Sequence, residues 1–239
     1  MFAFRIWLVM FLVVLCSGAQ EPPSDLTRRQ PRLFLREDWK PISAATPITQ
    51  EHVANLSLLL ALYGPGRNGI KKSHHDQPAD DPYYVWSGTC RGNWAVTLRD
   101  EHAWADLTGP AKIRWRAKQS GFRKLHIILK LSNSTWLVSD QADGESLAWR
   151  VWERNVANLR WRRLDIGAIV EGAEVEFPDL SRVDEIGWTD LMSGGGSAAC
   201  SRLDWIEVYA KPVARPTRVP EAKETRRIVS RGLWFPKMI

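Results

Sequence analysis

Along residues 107–210 apolar and polar side chains alternate with a period of two, broken at short intervals by turn residues. A strand with one buried and one wet face requires that period. It is plainest in two phrases, Leu180-Ser-Arg-Val-Asp-Glu-Ile-Gly-Trp188 and Ser201-Arg-Leu-Asp-Trp-Ile-Glu-Val-Tyr209. The spacing predicts further strands over residues 112–118, 124–131, 135–139, 147–155 and 160–166. Ser120-Gly121, Ser132-Asn133, Asp143-Gly144 and Gly194-Gly195-Gly196 punctuate them. Upstream, Leu33–Trp39, Ser57–Tyr63, Tyr83–Ser87 and Asn93–Arg99 read as strands, and Thr49–Asn55 as a short helical turn. Many short strands at this spacing indicate a sandwich or barrel rather than parallel βαβ units. Gly64–Asp81, rich in Gly, Pro, Lys, His and Asp, is expected to be irregular; loops of that length are uncommon in compact domains and often functional.

The N-terminus adds an address. One positive charge at Arg5 precedes an apolar run of 11 residues, Ile6 to Cys16, and Ser17-Gly18-Ala19 supplies small residues for cleavage. The run is shorter than the ~20 residues of a membrane span and fits a secretory signal. The chain therefore divides into a signal peptide over 1–19, a linker over 20–32, a sandwich domain over 33–210 and a basic tail over 211–239. The product is expected to be exported, periplasmic or extracellular, and not membrane-spanning. Formal net charge is +6, all of it matched by the tail, where eight Lys/Arg face two Glu. The high pI thus describes a solvated, disordered tail rather than a basic binding face, so nucleic acid is not expected as a partner. The tail, whose end Leu233-Trp-Phe235 is apolar, is instead a possible contact for an envelope protein.

Cleavage leaves Cys90 and Cys200. Two thiols in an exported chain predict a disulfide, closing a loop of about 110 residues and worth up to about 4.7 kcal/mol in the chain-entropy picture. Tryptophan is abundant, at 13 residues. Most are expected in the core and on strand faces, where large rings fit a pleated surface, with a minority exposed for stacking on a ligand.

Asp106-Leu-Thr-Gly-Pro-Ala-Lys-Ile-Arg-Trp115, the strands at 125–131 and 149–156, Leu159–Ile166 and the two closing phrases together resemble the galactose-binding-like jelly roll of many carbohydrate-binding modules, in particular the family that includes the complex I assembly-factor domain. The resemblance covers a little under half the chain. It implies an all-β antiparallel sandwich of jelly-roll type and a role in binding sugars, either on a concave sheet face or at loop ends; it transfers no contact residue.

Candidate chemistry gathers around the long loop. His74, His75, Asp76, Asp80 and Asp81 mix imidazole with carboxylate, a set that suits Zn²⁺ or acid–base work, although adjacent histidines on an extended loop point different ways. A solvated loop is the plain alternative. Tyr84 and Trp86 follow, and strand alternation puts both on one face, core or cleft. Aromatic rings beside carboxylates suit sugars, whose C–H faces stack on π systems while their hydroxyls need polar partners. Asp140, Asp143 and Glu145 surround a turn that is oxygen-rich enough for Ca²⁺ but lacks a defined ligand spacing. Asp184, Glu185 and Asp190 add further carboxylates, and no pair is singled out as a glycosidase acid and base. The expected function is non-catalytic binding of a polysaccharide or glycan without a cofactor. A glycan-active hydrolase and an envelope structural or protein-interaction module are the alternatives.

Overall fold

The computed structural model describes residues 31–216. The expected signal peptide, most of the linker and residues 217–239 of the tail lie outside the described residues. Among the described residues fifteen strands occur in chain order: β1 (Leu33–Glu37), β2 (Leu58–Tyr63), β3 (Lys71–Ser73), β4 (Tyr84–Trp86), β5 (Ala95–Asp100), β6 (Ala103–Asp106), β7 (Lys112–Gln119), β8 (Leu125–Leu131), β9 (Trp136–Asp143), β10 (Arg150–Asn155), β11 (Trp161–Asp165), β12 (Val170–Val175), β13 (Val183–Thr189), β14 (Ser201–Tyr209) and β15 (Lys211–Ala214). They form two antiparallel sheets. One runs β10-β7-β14-β4-β3, with β1 alongside the second half of β14. The other runs β12-β11-β9-β8-β13-β5-β2, with β6 and β15 attached at β13. This is the all-β sandwich expected from the alternation.

The core lies between the sheets, and β7 shows how sequence makes it. Ile113, Trp115, Ala117 and Gln119 are buried while Lys112, Arg114, Arg116 and Lys118 between them are half-exposed. A pleated strand cannot do otherwise once one face meets another sheet. Trp115 and Trp188, from opposite sheets, meet edge-on with ring centroids 6.3 Å apart. Each is 1% exposed, so truncating either to alanine costs about 3–5 kcal/mol.

Several elements differ from the pattern-based expectation. The first strand stops at Glu37 rather than Trp39, because Trp39 takes a left-handed φ of 54° and turns the chain inward. Glu37 holds that turn by accepting the backbone N–H groups of Trp39, Ala54 and Asn55. The Gly64–Asp81 stretch contains a 3-10 turn (Arg67–Gly69) and the edge strand β3. The tail was expected to leave the domain at 211, but β15 pairs with β6, Lys211 opposite Asp106 through Ala214 opposite Ala103. Arg215 then donates to the Asp184 carboxylate and to the Asp100 carbonyl and stacks on Trp104. The folded unit therefore includes the first residues of the basic segment.

The expected Cys90–Cys200 disulfide is not formed. Both thiols are buried and free. Their strand starts do share one end of the sandwich, as pairing would need, since Ser87 N–H donates to Ser201 O and Gly194 N–H to Cys90 O. The side chains diverge: Cys90 joins the main core cluster, whereas the Cys200 sulfur sits 3.3 Å from Ser120 Oγ. Burial, with the Asp190 carboxylate close by, pushes the Cys90 thiol up to about 12. Gly194 makes this end so tight that a Cβ there would lie 2.6–2.8 Å from the carbonyl oxygens of Cys90, Ser87 and Gly88.

Candidate functional site

Val85 points into the core, so its neighbours Tyr84 and Trp86 face outward from the six-stranded sheet. That resolves the choice between core and cleft, with a difference between the two rings. Trp86 is half-exposed, packed over Gly88 and approached by Lys71 Nζ at 5.5 Å from its ring centre. Tyr84 is only 2% exposed because neighbours cover it. The Trp149 ring lies 5.3 Å away, and the Tyr84 hydroxyl is 3.1 Å from His75 Nδ1. Burial pushes the Tyr84 phenol up.

The five loop residues do not act as one cluster. His75 joins Tyr84 and Asp81, with Nδ1 3.0 Å from the Asp81 carboxylate. His74 turns the other way and stacks on Tyr83, ring centroids 4.0 Å apart and planes within 12°. Asp76 is fully exposed and reaches His74 only at 3.9 Å. Asp80 is exposed at the loop tip, apart from both groups. Among the described residues no three His, Cys, Asp or Glu side chains are placed to hold a metal ion. His74, Asp76 and Tyr83 do line a cavity of about 530 Å³ with Pro41–Ala44. Behind it Lys72, fully buried, donates to the Ile42 carbonyl at 3.1 Å and lies over the Tyr83 ring; burial pushes its ammonium down to about 8.

The carboxylates weighed for metal or acid–base chemistry also separate. Asp140 pairs with Arg160, Asp143 is buried against Arg154, and Glu145 accepts the Gly121 N–H. Asp184 binds Arg215 and Lys130, Glu185 binds Lys130, Tyr63 and Thr97, and Asp190 sits in a buried network with Ser87, Ser201 and Arg123.

Register sorts the rest of this outer face into rows. In the first, Lys118 stands opposite Arg202, Arg202 opposite Trp86, and Trp86 opposite Lys71. In the second, Arg116 stands opposite Trp205, after a bulge at Asp204 that lets Arg116 Nη1 reach the Asp204 carboxylate at 2.6 Å. The third alternates in charge, Glu153, Arg114, Glu207, Arg36, and is internally paired. In the fourth, Lys112 lies between Asn155 and Tyr209, beside a cavity of about 330 Å³.

Each partly exposed aromatic in these rows, and Trp149 above them, carries a cation: Lys71 over Trp86, Arg36 and Arg114 over Trp205, Arg116 over Trp149, and Lys112 over Tyr209. The outer face of the other sheet is closed by a second apolar cluster around Ile128, Val138, Leu164 and Ile169. Among the described residues, the outer face of the six-stranded sheet carries a broad polar and aromatic surface.

Sequence reasoning missed Trp149, Trp205, Tyr209 and the cations of β7 and β14. Their signal was present as alternation in Lys112-Ile-Arg-Trp-Arg-Ala-Lys118, whose even positions are all basic. Averaging charge over the whole domain concealed it.

No family model matches the chain, and no curated protein matches it in sequence. In structure it is similar to a family 11 carbohydrate-binding module of a cellulosomal cellulase of Clostridium thermocellum, at 14% identity over 72% of this chain and 97% of that one, TM-score 0.43. It is also similar to a family 29 carbohydrate-binding module complexed with mannohexaose, at 13% identity over 74% of this chain and 92% of that one, TM-score 0.41. An exo-β-agarase matches at 11% identity over 77% of this chain and 25% of that one, TM-score 0.38.

Proposed function

We propose that this domain is an exported carbohydrate-binding module that holds a glycan against the outer face of the six-stranded sheet without acting on it chemically. The observation that carries the reading is that open face, where Trp86, Trp149, Trp205 and Tyr209 alternate with arginine, lysine and carboxylate side chains. Ring faces match the C–H faces of pyranoses, and the charged groups match their hydroxyls. Strands position Trp86, Trp205 and Tyr209, so little ordering entropy opposes binding there. Export takes its support from the Ile6–Cys16 run and the small residues after it. Binding without catalysis takes support from Glu207, whose carboxylate is engaged by Arg36, Arg114 and the Tyr209 hydroxyl rather than left to transfer a proton.

The test is native affinity electrophoresis of the full chain through gels containing plant, algal and microbial polysaccharides. At least one polymer should retard the protein, and Trp205→Ala should abolish the retardation while leaving the fold intact by circular dichroism. Release of reducing ends from the bound polymer would instead favour the hydrolase.

A further inference from the structure

We infer that the ligand of this face is an acidic polysaccharide, one carrying carboxylate or sulfate groups, gripped by the transverse row Lys118–Arg202–Trp86–Lys71. This rests on the carbohydrate-binding reading above and names its substrate class. Three observations support it.

The first is a repulsion with no structural counterpart. Lys118 and Arg202 are directly opposed on adjacent strands, with Cα atoms about 5 Å apart, an arrangement that destabilises a sheet. Among the described residues neither has a carboxylate within 4.0 Å, and neither does Lys71; Arg202 meets hydroxyls instead, that of Ser120 at 3.3 Å and that of Tyr84. The lower rows behave differently, since Arg114, Arg116 and Arg36 each meet a carboxylate.

The second is donor–acceptor balance. Guanidinium and ammonium groups only donate. The acceptors on the face are already engaged: Asp204 by Arg116, Glu207 by Arg114 and Tyr209, and Glu153 by Arg114. A neutral glycan brings hydroxyls that donate as well as accept, and its donors would find few open acceptors here. A carboxylate or sulfate brings acceptors alone and forms the shorter, stronger charge-assisted bonds.

The third is geometry. Trp86 lies between Arg202 and Lys71 in the row, so a sugar ring stacked on the indole places its substituents next to a cation on either side. The described part of the chain is close to neutral overall, so the excess is local to this face.

Full-length protein run in gels containing polygalacturonate, dextran sulfate, unsubstituted dextran or a mixed-linkage β-glucan decides the matter, with single-stranded DNA binding followed by fluorescence anisotropy. Retardation is expected in the polygalacturonate gel, the dextran sulfate gel or both, telling carboxylate from sulfate, and is expected to weaken as salt rises. Lys118→Gln with Arg202→Gln should lower affinity roughly tenfold or more, and Lys71→Gln should weaken it separately. Arg163→Gln, on an exposed position of β11 in the other sheet, should leave it unchanged. Retardation by the β-glucan or dextran alone overturns the acidic ligand but leaves the carbohydrate reading standing. Absence of retardation in every gel overturns both. Acidic binding that survives Lys118→Gln/Arg202→Gln, or DNA binding as tight as glycan binding, overturns the assignment of an acidic sugar to this row.

Discussion

The indole of Trp149 meets the phenol of Tyr84 with ring centroids 5.3 Å apart and planes at 60°. Trp149 immediately precedes β10 and Tyr84 opens β4, so the contact passes over both β7 and β14. It roofs Tyr84 and sets Trp149 on the face beneath Arg116. Trp149→Ala should expose the phenol at a cost of about 1–2 kcal/mol, less than for a fully buried indole, and should weaken glycan retention. Urea denaturation, tyrosine fluorescence and affinity electrophoresis together read the three effects.

Trp86 rests on Gly88, where an added Cβ would lie 2.1 Å from a ring atom. Gly88→Ala must therefore move the indole off its seat, and its binding defect should match that of Trp86→Ala. Both should retain a cooperative melt, with Trp86→Ala losing about 1–2 kcal/mol because its ring is only partly buried. Normal glycan retention by Gly88→Ala would show that the position of the Trp86 ring is immaterial.

The two cysteines should both alkylate in denaturant and neither in the native protein. Burial hides Cys90 and Cys200 equally, and the Cys90 thiol, pushed up to about 12, supplies almost no thiolate at neutral pH. Mass mapping under non-reducing conditions should recover two free thiols.

Asp143 predicts a pH dependence. Its carboxyl is fully buried with Oδ1 3.1 Å from Arg154, and burial pushes it up to about 7 against the pull of that guanidinium. The folded state then binds the proton more tightly than the unfolded chain, where an aspartate titrates near 3.9. Its contribution to stability is complete below about pH 4 and is lost as pH rises through about 7. Asp143→Asn should flatten the fall in urea midpoint between pH 5 and 7.5, whatever it does to the absolute value.

Removing residues from Lys211 onward should destabilise the sandwich, because β15 covers the edge of β6 and Arg215 binds Asp184. Although burial pushes the Asp184 carboxyl up, Arg215 and Lys130 more than offset it and hold the group below the usual carboxylate range. Arg215→Ala alone should cost about 1–3 kcal/mol, the range for a charged hydrogen bond at a partly buried site. Thermal melts of the two variants test both statements.

Local alternation determined much of this protein. The strands of residues 112–209 other than β12, the burial of Trp115 and Trp188 and the shared face of Tyr84 and Trp86 follow from a two-residue period that any half-buried strand must obey. Edge strands such as β3, β12 and β15 were not legible, because short segments paired on one side need little apolar pattern of their own. Nor was the site. The row Lys118–Arg202–Trp86–Lys71 is assembled by register, which sets Arg202 beside Trp86 more than a hundred positions away, and register depends on which strands pair. Likewise Cys90 and Cys200 were brought to one end of the sandwich, as pairing requires, yet turned into different environments by the packing around each sulfur. Sequence specified which side chains face outward; the order of strands in the sheet decided which of them stand together, because cross-strand neighbours about 5 Å apart interact regardless of their separation along the chain.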